Sequence, residues 1–189
     1  IEPIHDVPDV LDFPRDIQPI FDRHCTACHD GEKRAGGVDL SGDHTPSYSV
    51  SYWTINRRGL VADGRNQAYG NRQPRSIGSG GSRLMQLIDG NHHGAKVSDL
   101  ERKTIRLWIE TSATYPGTYA ALGCGMYPVE YPMSAISERC GSCHGQTTPE
   151  DKKRPYRYRF GDVTNVHSIT TLDRPDLSTM LRAPLAKDA

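Results

Sequence analysis

The chain has 189 residues, which is enough for one large domain or two small ones. Its 23 basic and 23 acidic residues balance, so we expect no nucleic-acid partner and no attraction to an anionic membrane surface. It contains no apolar run long enough to encode a membrane span. Only 35% of its residues are hydrophobic. So low a hydrophobic content predicts either long loops or a bound non-protein group that supplies part of the apolar core.

The first predicted helix leads directly into the sequence RHCTACHDGEK. Asp16 is a candidate N-cap, and Pro19 would fall in the first turn, where proline is tolerated. Ile17, Ile20 and Phe21 follow the spacing of one apolar helix face. The pattern therefore predicts an amphipathic helix that presents two cysteines and a histidine at its C-terminal end.

Two further helices are predicted downstream. One begins at Ser82, a candidate N-cap, and ends at Gly90, a candidate C-cap. Its apolar face comprises Leu84, Leu87 and Ile88. The other begins with a capping-box pattern formed by Ser98 and Glu101. Its apolar face comprises Ile105, Trp108 and Ile109.

Four of the five cysteines fall in two CxxCH motifs, the second within ERCGSCHGQ. The motifs comprise Cys25, Cys28 and His29, and Cys140, Cys143 and His144. Zinc sites commonly use CxxC pairs about 15–20 residues apart, and a thioredoxin-type CxxC needs a βαβ pattern. Neither feature is present here. Covalent haem attachment uses every residue, because the thiols form thioethers with the vinyl groups and the histidine ligates the iron.

We therefore predict two covalently bound haem c groups, with zinc or disulfide pairing as the alternatives. Haem 1 is the group predicted at Cys25 and Cys28, and haem 2 is the group predicted at Cys140 and Cys143. The porphyrins would supply much of the missing apolar core.

The loop between the two downstream helices contains NHH. In many single-haem cytochromes c, the corresponding loop provides a methionine as the second axial ligand. Met85 lies inside the preceding predicted helix, which is a poor place from which to reach the iron. We therefore predict that a histidine is the sixth ligand of haem 1, with His92 as first choice and His93 as the alternative.

The segments DIQPIFDRHCTACHD, NHHGAKVSDLERKTIRLWIE and YPGTYAALG resemble planctomycete-type di-haem cytochrome c domains, which are related to the di-haem region of the hydrazine synthase alpha subunit. The resemblance covers most of the chain. We expect a mainly α fold with two cytochrome c-like haem domains and long loops. Residues 1–122 would form the first domain, and residues 123–189 a second, shorter or truncated haem-binding domain.

The resemblance also implies a distal ligand for haem 2. In these relatives a histidine lies seven residues before an Arg-Pro pair, and His167 has that offset from Arg174 and Pro175. We nominate His167, with His5 as the alternative. The relatives continue beyond the APLAK segment, whereas this chain starts at Ile1 and stops at Ala189, so we expect a processed chain or a fragment.

Two function classes follow. The first is a di-haem electron-transfer protein with bis-histidine haems, a module of a larger protein that passes electrons to a redox partner protein or a fused domain. The second is a haem enzyme, similar to a di-haem peroxidase or to hydrazine synthase, with one open or displaceable axial position. The sequence favours electron transfer, because no distal acid–base constellation is evident. Haem c attachment also predicts a periplasmic or other extracytoplasmic location; the oligomeric state is left open.

Overall fold

The computed structural model describes residues 3–64, 70–118, 121, 129–132, 134–136, 138–139, 170–182 and 185. Within these residues the chain is helical and forms no strand, apart from an isolated antiparallel bridge between His44 and Ser49. The prediction of a mainly α fold is confirmed. No helix in this part of the chain is both long and apolar enough to cross a membrane.

Five α-helices have defined bounds, and the described residues 134–136 and 138–139 are helical as well. The five are α1 (Gln18–His24), α2 (Val50–Arg57), α3 (Arg83–Asp89), α4 (Asp99–Glu110) and α5 (Thr179–Arg182). A π-helical turn, Phe13–Ile17, precedes α1. Single 3₁₀ turns lie at Ala35–Gly37, Ser79–Gly81, His92–Gly94 and Pro175–Leu177.

The first helical segment starts earlier than its sequence pattern indicated. Asp12, rather than Asp16, is the N-cap, and its side chain accepts a hydrogen bond from the amide of Arg15. Asp16 instead reaches back and accepts from the amide of Asp12 at 2.7 Å. Pro19 has no N–H to donate within the helix. The preceding turn widens to the π form, in which the amide of Gln18 bonds to the carbonyl of Phe13.

The hydrophobic core joins this first helical segment to α4. Phe13, Ile17, Ile105 and Trp108 are fully buried, and the rings of Phe13 and Trp108 lie 5.3 Å apart. The capping box that begins α4 is present, with both of its hydrogen bonds. The apolar spacing read from the sequence therefore identified the two helical faces that form this core.

The two ends of the first domain meet beside the core. The amide of Phe13 donates to the carbonyl of Tyr115 at 3.0 Å, and the amide of Gly117 donates to the carboxylate of Asp12 at 3.0 Å. The hydroxyl of Tyr52 in α2 donates to the carbonyl of Ala113 at 2.9 Å. These contacts close a unit that runs from about residue 12 to about residue 117. The division into two haem domains at residue 122 stays a prediction.

Residues 170–182 lie against the first domain. The amide of Leu172 donates to the carbonyl of His44 at 2.8 Å, and Arg174 pairs with Asp43. Leu177 is buried. We call these 13 residues the C-terminal strap. The sequence pattern assigned them to the second haem domain, and it contained no sign of this contact.

Candidate haem site

The first CxxCH motif is folded by hydrogen bonds that continue from the end of α1. The amide of Cys25 donates to the carbonyl of Phe21 at 2.8 Å. The amides of Cys28 and His29 both donate to the carbonyl of Cys25, at 3.1 and 3.0 Å. Cys25 packs at the margin of the core, whereas Cys28 is exposed. Both are free thiols, so the structure has no disulfide within this motif.

The environment of Cys25 opposes the use of its thiol in redox exchange. Burial raises the pKa of the Cys25 thiol to about 11, and the nearby carboxylate of Asp22 adds to that effect. Reactive CxxC thiols have lowered pKa values, because the thiolate is the nucleophile. The alternative of a thioredoxin-like motif therefore receives no support from the site.

The ring of His29 is oriented by a hydrogen bond to the backbone. Its Nδ1 lies 3.0 Å from the carbonyl oxygen of Ala35. A carbonyl oxygen can only accept, so Nδ1 carries the proton and Nε2 is left as the atom able to bind a metal. Hydrogen bonds of this kind orient ligating histidines and raise their basicity.

The loop after α3 holds His92 in an unusual backbone setting. Asn91, His93 and Gly94 have φ angles of 54°, 48° and 80°, so His92 lies between residues in the left-handed region. That region is costly for residues other than glycine and is found where surrounding structure determines the conformation, often at functional sites. Gly90 ends α3, as the sequence predicted.

The structure brings His29 and His92 together. Their ring centroids are 6.0 Å apart and their planes differ by 17°. Two imidazoles that bind one metal from opposite sides, with metal–nitrogen bonds of about 2 Å, have centroids roughly 6 Å apart. The separation of the two rings is therefore compatible with two axial ligands of one iron.

His93 differs from His92 in position. Its ring packs edge-on against the ring of His92, with centroids 4.5 Å apart, and the residue is exposed. Burial, followed by the charges of His93, His29 and Arg83, lowers the pKa of His92. A lowered pKa favours the neutral imidazole, which is the form that binds metals. The geometry thus favours His92 over His93 as the distal ligand.

The donor set in the described residues is compatible with a haem iron. Among the described residues, no three or more His, Cys, Asp or Glu side chains form a group that could hold an ion. A structural zinc site uses four protein ligands. A haem iron needs only the two axial ligands from the protein, since the porphyrin supplies the others. His29 and His92 fit that requirement, and Cys25 and Cys28 are free for thioether formation.

The residues predicted for haem 2 lie elsewhere in the chain. Cys140, Cys143, His144 and His167 are outside the described residues, as is the fifth cysteine, Cys124. The alternative ligand, His5, is exposed, and its Nδ1 lies 2.6 Å from the carboxylate of Asp6. The haem 2 assignments therefore stay predictions.

Two groups that support the site were not singled out as parts of it from the sequence. One is the carbonyl of Ala35, which carries no side-chain signal. The other is the carboxylate of Glu101, which was recognised only as half of a capping box. Its oxygens also lie 2.8 Å from a guanidinium nitrogen of Arg23 and 3.0 Å from Nε2 of His24, the residue before Cys25. Glu101 therefore ties the helix that carries the motif to α4.

No protein-family model, curated protein or solved structure matches the chain. The resemblance to planctomycete-type cytochrome c domains therefore stays a prediction.

Proposed function

We propose that the chain is a di-haem c-type cytochrome that transfers electrons, with bis-histidine axial ligation, to a redox partner protein or a fused domain. Haem c, when bound, supplies reversible one-electron exchange at its iron. In this proposal Cys25 and Cys28 anchor haem 1, His29 is its proximal ligand and His92 its distal ligand. Cys140, Cys143, His144 and His167 serve haem 2 in the same way.

The observation that carries the proposal is the pairing of His29 with His92. The ring separation of 6.0 Å supports the assignment of the two imidazoles as opposite ligands of one metal. The bond from His29 Nδ1 to Ala35 leaves Nε2 available for coordination. An iron with two protein ligands has no vacant position for a substrate, and this supports electron transfer over catalysis at haem 1.

The ligation also predicts the direction of the potential. Methionine as an axial ligand raises the potential of a haem, so bis-histidine ligation gives a lower value. Because haem c is attached outside the cytoplasm in bacteria, we propose a periplasmic or other extracytoplasmic location. Expression in a host with haem-attachment machinery and an added export signal should yield the loaded protein.

The test of the proposal begins with the loaded protein. Mass spectrometry should show the polypeptide with two added haem masses, and elemental analysis should show iron rather than zinc. The oxidised protein should have low-spin absorption bands that carbon monoxide does not change after reduction. A high-spin fraction, or a shift with carbon monoxide in the unaltered protein, would favour the haem-enzyme alternative.

The neighbouring histidines provide a matched pair of variants. H92A should make haem 1 partly high-spin and allow it to bind carbon monoxide, because the sixth ligand is lost. H93A removes the adjacent imidazole, which is exposed, and should leave the spectrum unchanged. If H93A alone produced the spectral change, the assignment of His92 would be wrong. If neither variant did, neither histidine in this loop would ligate haem 1.

A further inference from the structure

The C-terminal strap is held on the first domain by charged and apolar contacts. Arg174 donates to Asp43 through Nε at 2.7 Å, and the two residues form an ion pair. Asp173 accepts from the amide of His44 at 2.6 Å and lies 2.9 Å from its Nδ1. Charge-assisted hydrogen bonds of this kind are stronger than neutral ones. The strap is therefore attached at several points.

The C-terminal strap packs against the segment that follows His29, the proposed proximal ligand of haem 1. Leu177 packs so tightly on Gly31 that a Cβ atom at that glycine would lie 2.9 Å from the Cδ1 atom of Leu177. Gly31 is the second residue after His29, and both Gly31 and Leu177 are buried. A side chain at position 31 would therefore displace the end of the Leu177 side chain in the strap.

Arg34 connects the strap to the hydrogen bond on His29. Its guanidinium donates to the carbonyl of Leu177 at 3.0 Å and to the hydroxyl of Thr179 at 3.1 Å. Arg34 has a φ of 43°, an unfavourable value for a residue with a side chain. The next residue is Ala35, whose carbonyl accepts from Nδ1 of His29. The contacts to the strap hold the backbone at the point where this carbonyl is presented.

We propose that Arg34 is a positioning residue that, through its contacts with the C-terminal strap, holds the carbonyl of Ala35 on His29 and so lowers the potential of haem 1. This inference rests on the proposed function. A hydrogen bond from Nδ1 makes the imidazole more electron-rich and favours the oxidised iron. Thr170, the first described residue of the strap, is the third residue after His167. The strap therefore makes the setting of haem 1 depend on the chain segment that is predicted to ligate haem 2.

The experiment compares R34Q with R102Q in the full, haem-loaded chain. R34Q removes the guanidinium that bonds to Leu177 and Thr179 and that also pairs with Asp39, whose carboxylate lies 3.5 Å from Nε of Arg34. Arg102 pairs with Asp99 within α4 and with Asp89, the last residue of α3, so R102Q removes a paired arginine away from the strap. Potentiometric titration followed by absorbance should show one haem component moving to a higher potential in R34Q. R102Q should leave both components where they are in the unaltered protein.

A second measurement reads the hydrogen bond directly. In the reduced, diamagnetic protein, the exchange rate of the Nδ1 proton of His29 can be followed by nitrogen-15 NMR. The exchange rate should rise by roughly tenfold in R34Q. That rise corresponds to a fall of about 1.4 kcal/mol in the free energy needed to break the hydrogen bond to Ala35. If R34Q does not load both haems, R34K replaces it. R34K keeps the charge but replaces the two guanidinium nitrogens that bond to Leu177 and Thr179 with a single ammonium group, and it is judged by the same two measurements.

Three results would overturn the inference. The first is an R34Q protein that is less stable but has unchanged haem potentials. The second is an equal shift of the potentials of both haems in R34Q. The third is faster exchange of the Nδ1 proton of His29 in R102Q as well as in R34Q. The proposed function is tested separately, because haem content and low-spin spectra are measured first in the unaltered protein. A low-spin di-haem protein in which R34Q changes neither readout would refute only the role of Arg34.

Discussion

Glu101 joins α1 to α4 through one carboxylate, so its replacement tests how the helix that carries the CxxCH motif is held. The carboxylate accepts hydrogen bonds from Arg23 at 2.8 Å and from the amide and hydroxyl of Ser98 at 2.9 and 2.8 Å. It also contacts His24 at 3.0 Å. Burial alone would raise the pKa of Glu101, but the hydrogen bonds from Ser98, Arg23 and His24 outweigh it and lower the pKa to about 2.

The lowered pKa of Glu101 determines how much its carboxylate stabilises the fold and over which pH range. A fall from the ordinary value of 4.5 to about 2 corresponds to roughly 3 kcal/mol of stabilisation by the ionised carboxylate. The side chain of Arg23 is 55% exposed, so solvent screening reduces this to about 2 kcal/mol. Because the folded-state pKa is lowered, the contribution is complete above about pH 5 and is lost as the pH falls towards about 2.

E101Q should therefore reduce the free energy of unfolding by about 2 kcal/mol at pH 7. This loss can be measured by urea unfolding, followed by circular dichroism, at a series of pH values. The difference between the two proteins should shrink as the pH falls from about 5 to about 2, because protonation removes the same charge from the unaltered protein. Groups that titrate in acid in both proteins, including the haem ligands, contribute equally to the two free energies of unfolding and cancel in their difference.

The exposed glutamate Glu32 provides a control, since E32Q should change the free energy of unfolding by less than about 0.5 kcal/mol. A difference between E101Q and the unaltered protein that stays constant from pH 7 to pH 2 would refute the reasoning. It would show that Glu101 stabilises the chain by packing or by its neutral hydrogen bonds rather than by its charge.

Two further predictions concern the core and the C-terminal strap. W108A should lower the free energy of unfolding by about 3–5 kcal/mol in urea, because Trp108 is fully buried against Phe13; a loss below about 1 kcal/mol would contradict that packing. G31A should cost about 1 kcal/mol and speed proteolysis of the strap, because the added methyl group would displace Leu177. G70A is the matched control, since a Cβ at Gly70 has no neighbour within 4 Å, and equal proteolysis of both variants would refute the predicted contact.

The sequence alone determined the features that depend on near neighbours. The two CxxCH motifs are local, and so are the apolar faces and the capping box of α4. A helix face and a cap are set by residues three or four positions apart, so their pattern can be read directly. The loop position likewise led to the prediction of His92 or His93 as distal ligand, without separating the two.

Only the tertiary structure decided which distant groups meet. It places the ring of His92 opposite His29, the carboxylate of Glu101 on a helix 78 residues away, and Arg174 on Asp43 across 131 residues. Such contacts depend on how whole elements pack against one another, and no local pattern encodes that packing. Adjacent histidines have the same chemistry, so the left-handed backbone of the loop, rather than residue type, brings His92 next to His29.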